Sequence, residues 1–175
     1  MSLTVVYGTD TGHVLGALAL AGPAGPLPAV ADLVGKELPL RVATLGGRPF
    51  ELGVPAARLG AVAADDEPDA LAAPLDFGVE LGADGTPKPA LRRLADGVTV
   101  SVAAGGVTVA LPDDVSAVTR VLVLVAGESG TRLEPGDIGT GNREVTVRMT
   151  LGAGAYGVLA LVEGWAGHLG PATVS

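Results

Sequence analysis

One hairpin-shaped pattern occurs twice in this chain and constrains its fold more than any other feature. The copies lie in residues 40–55 and 98–112, with glycine pairs at 46–47 and 105–106. In each copy, apolar residues alternate up to the glycine pair, alternate again, and end at a proline. Such alternation around a two-glycine turn is typical of a β-hairpin. The two copies indicate either an internal duplication or two ordinary hairpins that converged in a sequence with little residue variety.

Further strand patterns predict a mainly β fold. Residues 3–7 and 13–20 flank a turn rich in Gly and Thr and predict an N-terminal hairpin. Residues 121–125 are apolar at every position, which predicts a central strand covered on both faces. Residues 144–151 alternate like a half-exposed strand, and residues 156–162 predict a buried returning strand. We expect antiparallel sandwich or Greek-key barrel units with at most a few short helices.

The chain has 175 residues, enough for one sizeable core or two small ones. We predict an N-terminal β-rich unit with hairpins and Pro/Gly loops over residues 1–83 and a small C-terminal β-sandwich over residues 90–175. Residues 84–89 are the predicted linker, because they combine turn residues with two prolines. A single merged domain is the alternative. Short helical segments are expected at 29–35 and 56–63.

Charge and cysteine content exclude several classes of function. The formal net charge is −8, with 11 Lys and Arg against 19 Asp and Glu. An acidic surface repels phosphate backbones and anionic lipid, so we predict no nucleic-acid partner. The chain has no cysteine, which excludes disulfides, thiolate metal sites and cysteine nucleophiles.

Residues 11–31 contain no Asp, Glu, Lys or Arg, and an uncharged stretch of this length is comparable in length with a membrane-spanning helix. Glycines and prolines in the second half of this stretch would break a spanning helix. No Lys or Arg precedes it, as a signal peptide would require. We expect no membrane insertion, a mature chain that starts near Met1, and a cytoplasmic location, on its own or within an exported or particle-bound assembly.

The sequence contains no strong motif for a catalytic, metal-binding or phosphate-binding site. His13 and His168 lie far apart, and neither has a second ligand at metal spacing, so each is expected to be a surface or rim residue. The acidic run 65–69 and the polar stretch 134–142 are expected to be solvated loops, with ion binding left open. Residues 127–131 lack the second half of a nucleophile elbow and the lysine of a phosphate loop, so a turn is expected there. No catalytic, metal or cofactor site is predicted.

These observations favour a non-enzymatic structural or assembly protein that acts through protein–protein contacts or self-association. The predicted interface residues are Trp165, Tyr7 and Tyr156, because aromatic side chains are enriched at interfaces. A larger particle, such as a phage-tail-like or secretion apparatus, would suit this profile. One alternative is a monomeric β-sandwich module that binds a small ligand or peptide at residues 7–13 or 134–142. Another is an enzyme whose site forms only at a subunit interface.

Overall fold

The computed structural model describes residues 2–20, 26–43, 47, 49–65, 67–84 and 86–175. This part of the chain is mainly β, as predicted, with several antiparallel sheets and two short α-helices. Strands β1 to β7 are Ser2–Gly8, Val14–Leu20, Glu37–Val42, Phe50–Pro55, Leu59–Ala64, Phe77–Leu81 and Pro87–Arg93. Strands β8 to β14 are Thr99–Ala103, Gly106–Ala110, Thr119–Gly127, Gly130–Ile138, Glu144–Arg148, Gly154–Val162 and His168–Val174. Helices α1 and α2 are Val30–Val34 and Asp69–Ala72, and 3-10 turns occupy Ala56–Arg58 and Pro74–Asp76.

The N-terminal strands form two sheets around one core. The predicted hairpin β1–β2 is present, and its sheet has the order β2-β1-β5. Strands β6 and β7 form a second antiparallel pair. This pair lies beside the first sheet, with β7 next to β5 and Gly78 of β6 bridging to His13 at the start of β2. The strands enclose what we call the N-terminal core, whose buried residues are Leu3, Val5, Tyr7, Val14, Ala70, Phe77 and Val79.

The C-terminal strands form a sandwich. A four-stranded sheet of order β11-β10-β13-β14 faces a three-stranded sheet of order β12-β9-β8. Strand β11 lies beside β12, and β14 lies beside β8, so the edges of the two sheets approach each other. The second predicted hairpin is confirmed as β8–β9. The inner faces supply a sandwich core made mostly of valine, which includes Val107, Val109, Val121, Val123, Val125, Val147, Val158 and Val162.

Strand β10 is covered on both faces, as its uninterrupted apolar sequence predicts. Val121, Val123 and Val125 point into the sandwich core. Leu122 and Leu124 point the other way, into a separate cluster. All five side chains are at most 2% exposed. The period-2 alternation of a strand therefore divides one apolar run between two cores.

That separate cluster, the shared core, draws on both halves of the chain. Hairpin β3–β4, the first predicted copy, packs across β10 and β13 and contributes Leu52 and Val54. Val6 and Leu15 come from the β1–β2 hairpin. The predicted turn at 46–47 lies partly outside the described residues.

The predicted division at residues 84–89 falls where the N-terminal sheets continue. Strand β7 begins at Pro87 and pairs with β6, so part of the predicted linker is a strand. The shared core joins residues from both sides of the division. The division into two units itself stays a prediction.

Two sequence predictions of local structure need correction, and one strand was not predicted. The helix expected at 56–63 is only a 3-10 turn, followed by strand β5 beside β1. Its small apolar residues fit a sheet as well as a helix, so pairing with β1 decides the outcome. The loop expected at 134–142 is half strand, because β11 pairs with β10 along its whole length. Strand β14 had no clear sequence signal, whereas the short helix expected at 29–35 is confirmed as α1.

Candidate functional site

A cleft of about 810 Å³ opens at one end of the four-stranded sheet. Three segments that are distant in sequence form its walls. They are Gly47, Pro49 and Phe50 beside hairpin β3–β4, the β10–β11 turn at 128–129, and residues 152–156 at the start of β13. The volume lies within the range typical of ligand pockets. We call this the loop-end cleft.

The β10–β11 turn forms one wall of the loop-end cleft. Gly127 pairs with Gly130, which leaves Glu128 and Ser129 as a two-residue turn between the strands. The turn predicted after the central strand is therefore confirmed. Glu128 is the one charged side chain among the described residues that line the cleft.

Tyr156 forms a fixed aromatic wall. Its ring covers the Cα of Gly127, where a Cβ atom would lie only 2.6 Å from the ring carbon Cε1. Its hydroxyl donates a hydrogen bond of 2.8 Å to the carbonyl oxygen of Gly152. On the opposite side, Phe50 packs over Gly157, where a Cβ would lie 2.9 Å from the Cβ of Phe50. Glycines thus let two aromatic side chains approach the backbone and define the cleft.

Small residues and aromatic side chains make up most of the described lining of the loop-end cleft. Half of its described lining consists of glycine and alanine, at Gly47, Gly152, Ala153, Gly154 and Ala155, so backbone forms much of the wall. Ser129 has no histidine or lysine among the described lining residues that would take its proton. Aromatic faces, exposed backbone and one carboxylate suit a bound chain segment or small molecule.

His13 is fully buried, so its predicted place at the surface is wrong. The Gly78 bridge places its backbone beside β6, and both ring nitrogens have hydrogen-bond partners. Nε2 lies 2.7 Å from the carbonyl oxygen of Trp165, which can only accept, so Nε2 carries the proton and donates. In the neutral ring, Nδ1 then accepts from the Thr11 hydroxyl at 2.8 Å. These two bonds make burial tolerable and leave neither nitrogen for a metal ion.

Burial shifts the titration of both histidines. It lowers the pKa of His13 from its ordinary value of 6.5 to about 4, and the hydrogen bond to Trp165 opposes this shift in part. His168, at the start of β14, is half-buried, and burial lowers its pKa as well. Within the described ranges, no group of three or more His, Asp or Glu side chains could hold a metal ion.

The predicted interface residues occupy different environments. Tyr7 is 5% exposed and its ring covers Gly60, so it belongs to the N-terminal core. Burial raises the pKa of the Tyr7 hydroxyl. Trp165 is partly buried against the sandwich core, and Tyr156 lies in the loop-end cleft. Contact of any of the three with a partner stays a prediction.

The acidic run is only partly described, because residue 66 lies outside the described part of the chain. Asp69 begins α2 and lies 4.0 Å from the guanidinium of Arg93. Asp65 lies in the segment that follows β5. Ion binding at residues 65–69 or 134–142 stays untested.

Sequence reasoning missed the loop-end cleft and the Thr11–His13–Trp165 contact. Both join residues from separate parts of the chain, and the spacing along the sequence gives no signal for either. Gly152 and Gly154 are typical of a turn, but nothing in the sequence indicates which residues lie opposite them.

Neither the helices of the described ranges nor a comparison with known proteins points to a function. None of the helices in the described ranges has the length and hydrophobicity needed to cross a bilayer. No protein-family model matches this chain, and no curated protein is significantly similar to it in sequence.

Proposed function

We propose that this chain is a non-enzymatic structural or assembly protein that acts through protein–protein contacts. Its setting would be a larger particle, such as a phage-tail-like or secretion apparatus. The observation that carries the proposal is the lining of the loop-end cleft. The cleft is large enough for a chain segment and offers backbone, aromatic surface and one carboxylate, without a paired nucleophile and base among its described residues.

The surface adds a second line of support. Among the described residues, four large apolar side chains are well exposed, with Val118 the most exposed of these at 62%. The others are Leu18, Leu27 and Leu71, each more than 40% exposed. Single exposed apolar residues are common, but burying them in an assembly adds favourable free energy of association.

A monomeric binding module is the second candidate function. The volume of the loop-end cleft, about 810 Å³, favours this alternative, because it also suits a small molecule. Light scattering after size exclusion separates the two ideas. An assembly protein should self-associate or bind a macromolecular partner, whereas a ligand-binding module should stay monomeric at high concentration.

Filling the loop-end cleft should abolish partner binding without unfolding the protein. Gly152→Phe places a ring at its wall, where the nearest atom to an added Cβ is the Tyr156 hydroxyl at 4.0 Å. We expect at least a tenfold loss of the partner retained from an extract of the native source, quantified by mass spectrometry.

Gly105→Phe is the matched control for this experiment. Gly105 lies outside the cleft, and an added Cβ there meets nothing within 4 Å. This variant should retain the partner as the wild type does, with a similar melting temperature. If both variants retained the partner equally, the loop-end cleft would not be the site where the partner binds.

A thermal-shift screen tests the non-enzymatic part separately. Any ligand that binds only the native state stabilises it by RT ln(1 + L/Kd), where L is the free ligand concentration, and so raises the melting temperature. We expect no shift above about 1 °C with divalent metals, nucleotides or common organic cofactors, each added at about 100 μM. This concentration is about 100 times a micromolar dissociation constant. A reproducible shift of several degrees with one of them would favour the enzyme alternative.

A further inference from the structure

We infer that His13 is a pH-sensitive latch, which fastens residues 165–167 to the N-terminal strands and loosens them in mild acid. This inference does not depend on the proposed function, because it concerns a buried side chain away from the loop-end cleft. It rests on the geometry of the contact between His13 and the backbone of Trp165.

Residues 165–167 belong to the connection between β13 and β14, and three hydrogen bonds join them to segments distant in sequence. The carbonyl oxygen of the first residue accepts the hydrogen bond from His13. The N–H of the second donates to the carbonyl of Ala95 at 2.7 Å, and that of the third to the carbonyl of Leu75 at 2.9 Å. His13 is the one titratable group among these three fastenings. We call this segment the latched loop.

The surroundings of His13 are apolar and close-packed. Side-chain carbons of Leu161, Leu75 and His13 all converge on Gly167, where an added Cβ would lie 3.1, 3.2 and 3.4 Å from them respectively. A positive charge on His13 would therefore be buried in apolar surroundings. Its two hydrogen-bond partners, a hydroxyl and a carbonyl, are neutral and supply no counter-ion.

Charged groups surround this site at a distance or are already paired. Beside His13 in sequence, Asp10 accepts from Arg58 at 3.1 Å. Other charged or titratable groups on adjacent elements include Tyr7, Asp76, Glu80, Lys88, Arg92, Arg93, Glu163 and His168. Glu80, Arg92 and Glu163 line a cleft of about 160 Å³ on the Thr11 side. Within the described residues, none of these groups forms an ion pair or hydrogen bond with His13.

The direction of the pH effect follows from the two states of the latched loop. When the loop is closed, the pKa of His13 is about 4; when it opens to water, the pKa returns towards 6.5. Between these values the open state binds more protons, so acid favours opening. The closed state is most stable above about pH 6.5 and loses stability as the pH falls towards 4. The opening constant should rise roughly 30-fold between about pH 7.5 and about pH 5.

Native-state hydrogen exchange of the Ala166 and Gly167 amides measures this opening directly. After correction for intrinsic exchange rates, wild-type protection should fall roughly 30-fold between about pH 7.5 and about pH 5. In His13→Gln, whose neutral amide N–H can still donate to the Trp165 carbonyl, it should change less than about threefold. His168→Gln is the matched control and should respond as the wild type does. Acrylamide quenching of Trp165, the only tryptophan, gives an independent readout.

Three results would overturn the latch. The first is unchanged wild-type protection at the lower pH. The second is an equal loss of protection at Val123 in the sandwich core, which would mean global rather than local loosening. The third is a His13 pKa near 6.5 in an NMR titration of the folded wild type. This titration also decides the matter if His13→Gln fails to fold, because His168→Gln assigns the two histidine signals.

Discussion

Replacing Gly106 with alanine is expected to destabilise the fold by about 4 kcal/mol. Gly106 begins β9 with a φ of 145°, which side-chain-bearing residues rarely adopt. An added Cβ would overlap the carbonyl oxygen of Val147 and lie 3.1 Å from the Cα of Arg148 on strand β12. Because these are backbone atoms, no change of rotamer can relieve the clash. The pairing of β9 with β12 would have to distort.

Gly105→Ala provides the matched control in the same turn. An added Cβ at Gly105 meets no atom within 4 Å, and the residue does not have a positive φ. We expect a stabilisation of at most about 1 kcal/mol, because alanine lowers the conformational entropy of the unfolded chain. Urea denaturation of the two variants measures the difference. Similar stabilities for Gly105→Ala and Gly106→Ala would show that the β8–β9 turn differs from the one described.

Truncation of Leu124 to alanine should cost about 3 to 4 kcal/mol, and truncation of Val123 about 2 kcal/mol. Both side chains are fully buried, but Val123 lies in the sandwich core and Leu124 in the shared core. Each change leaves a cavity that its close-packed neighbours cannot fill. Adjacent residues of a strand with one exposed face would not both show such costs.

Glu144→Ala is the control for this pair, since Glu144 lies on the exposed face of β12. Its free energy of unfolding should stay within about 0.5 kcal/mol of the wild type. Denaturant titrations of all three variants test whether β10 separates two cores. A cost below about 1 kcal/mol for Leu124→Ala would contradict the shared core and, with it, the packing of hairpin β3–β4 on β10.

The elements that could be predicted are those whose hydrophobic pattern agrees with their final environment. The alternation of residues 98–110 matches a hairpin with one buried face, and the apolar run at 121–125 matches a strand with two. The hydrophobic pattern of strand β11 does not indicate a strand, because β11 lies at the edge of its sheet and most of its side chains are exposed. Its polar sequence therefore looks like a loop, and only its pairing with β10 makes it a strand.

The site could not be predicted, for a different reason. His13 has no ligand-like neighbour in sequence, so its burial depends on the Trp165 carbonyl, 152 residues further along the chain. The loop-end cleft likewise needs Phe50, Ser129 and Tyr156 to meet at one end of a sheet. Tyr156 was singled out as an aromatic residue, and its position in the cleft is consistent with the predicted interface without testing it.

Site-specific photo-crosslinking from the loop-end cleft shows directly whether a partner protein binds there. A photoreactive amino acid at position 129 would lie in the cleft, whereas one at position 99 would lie on the exposed face of β8 as a control. We expect that position 129, and not position 99, forms a discrete covalent adduct with a protein in extract of the native source. Excess unlabelled wild type should compete this adduct away, and Gly152→Phe should suppress it at least tenfold. Identical patterns from positions 129 and 99, or an adduct that Gly152→Phe leaves unchanged, would contradict this expectation.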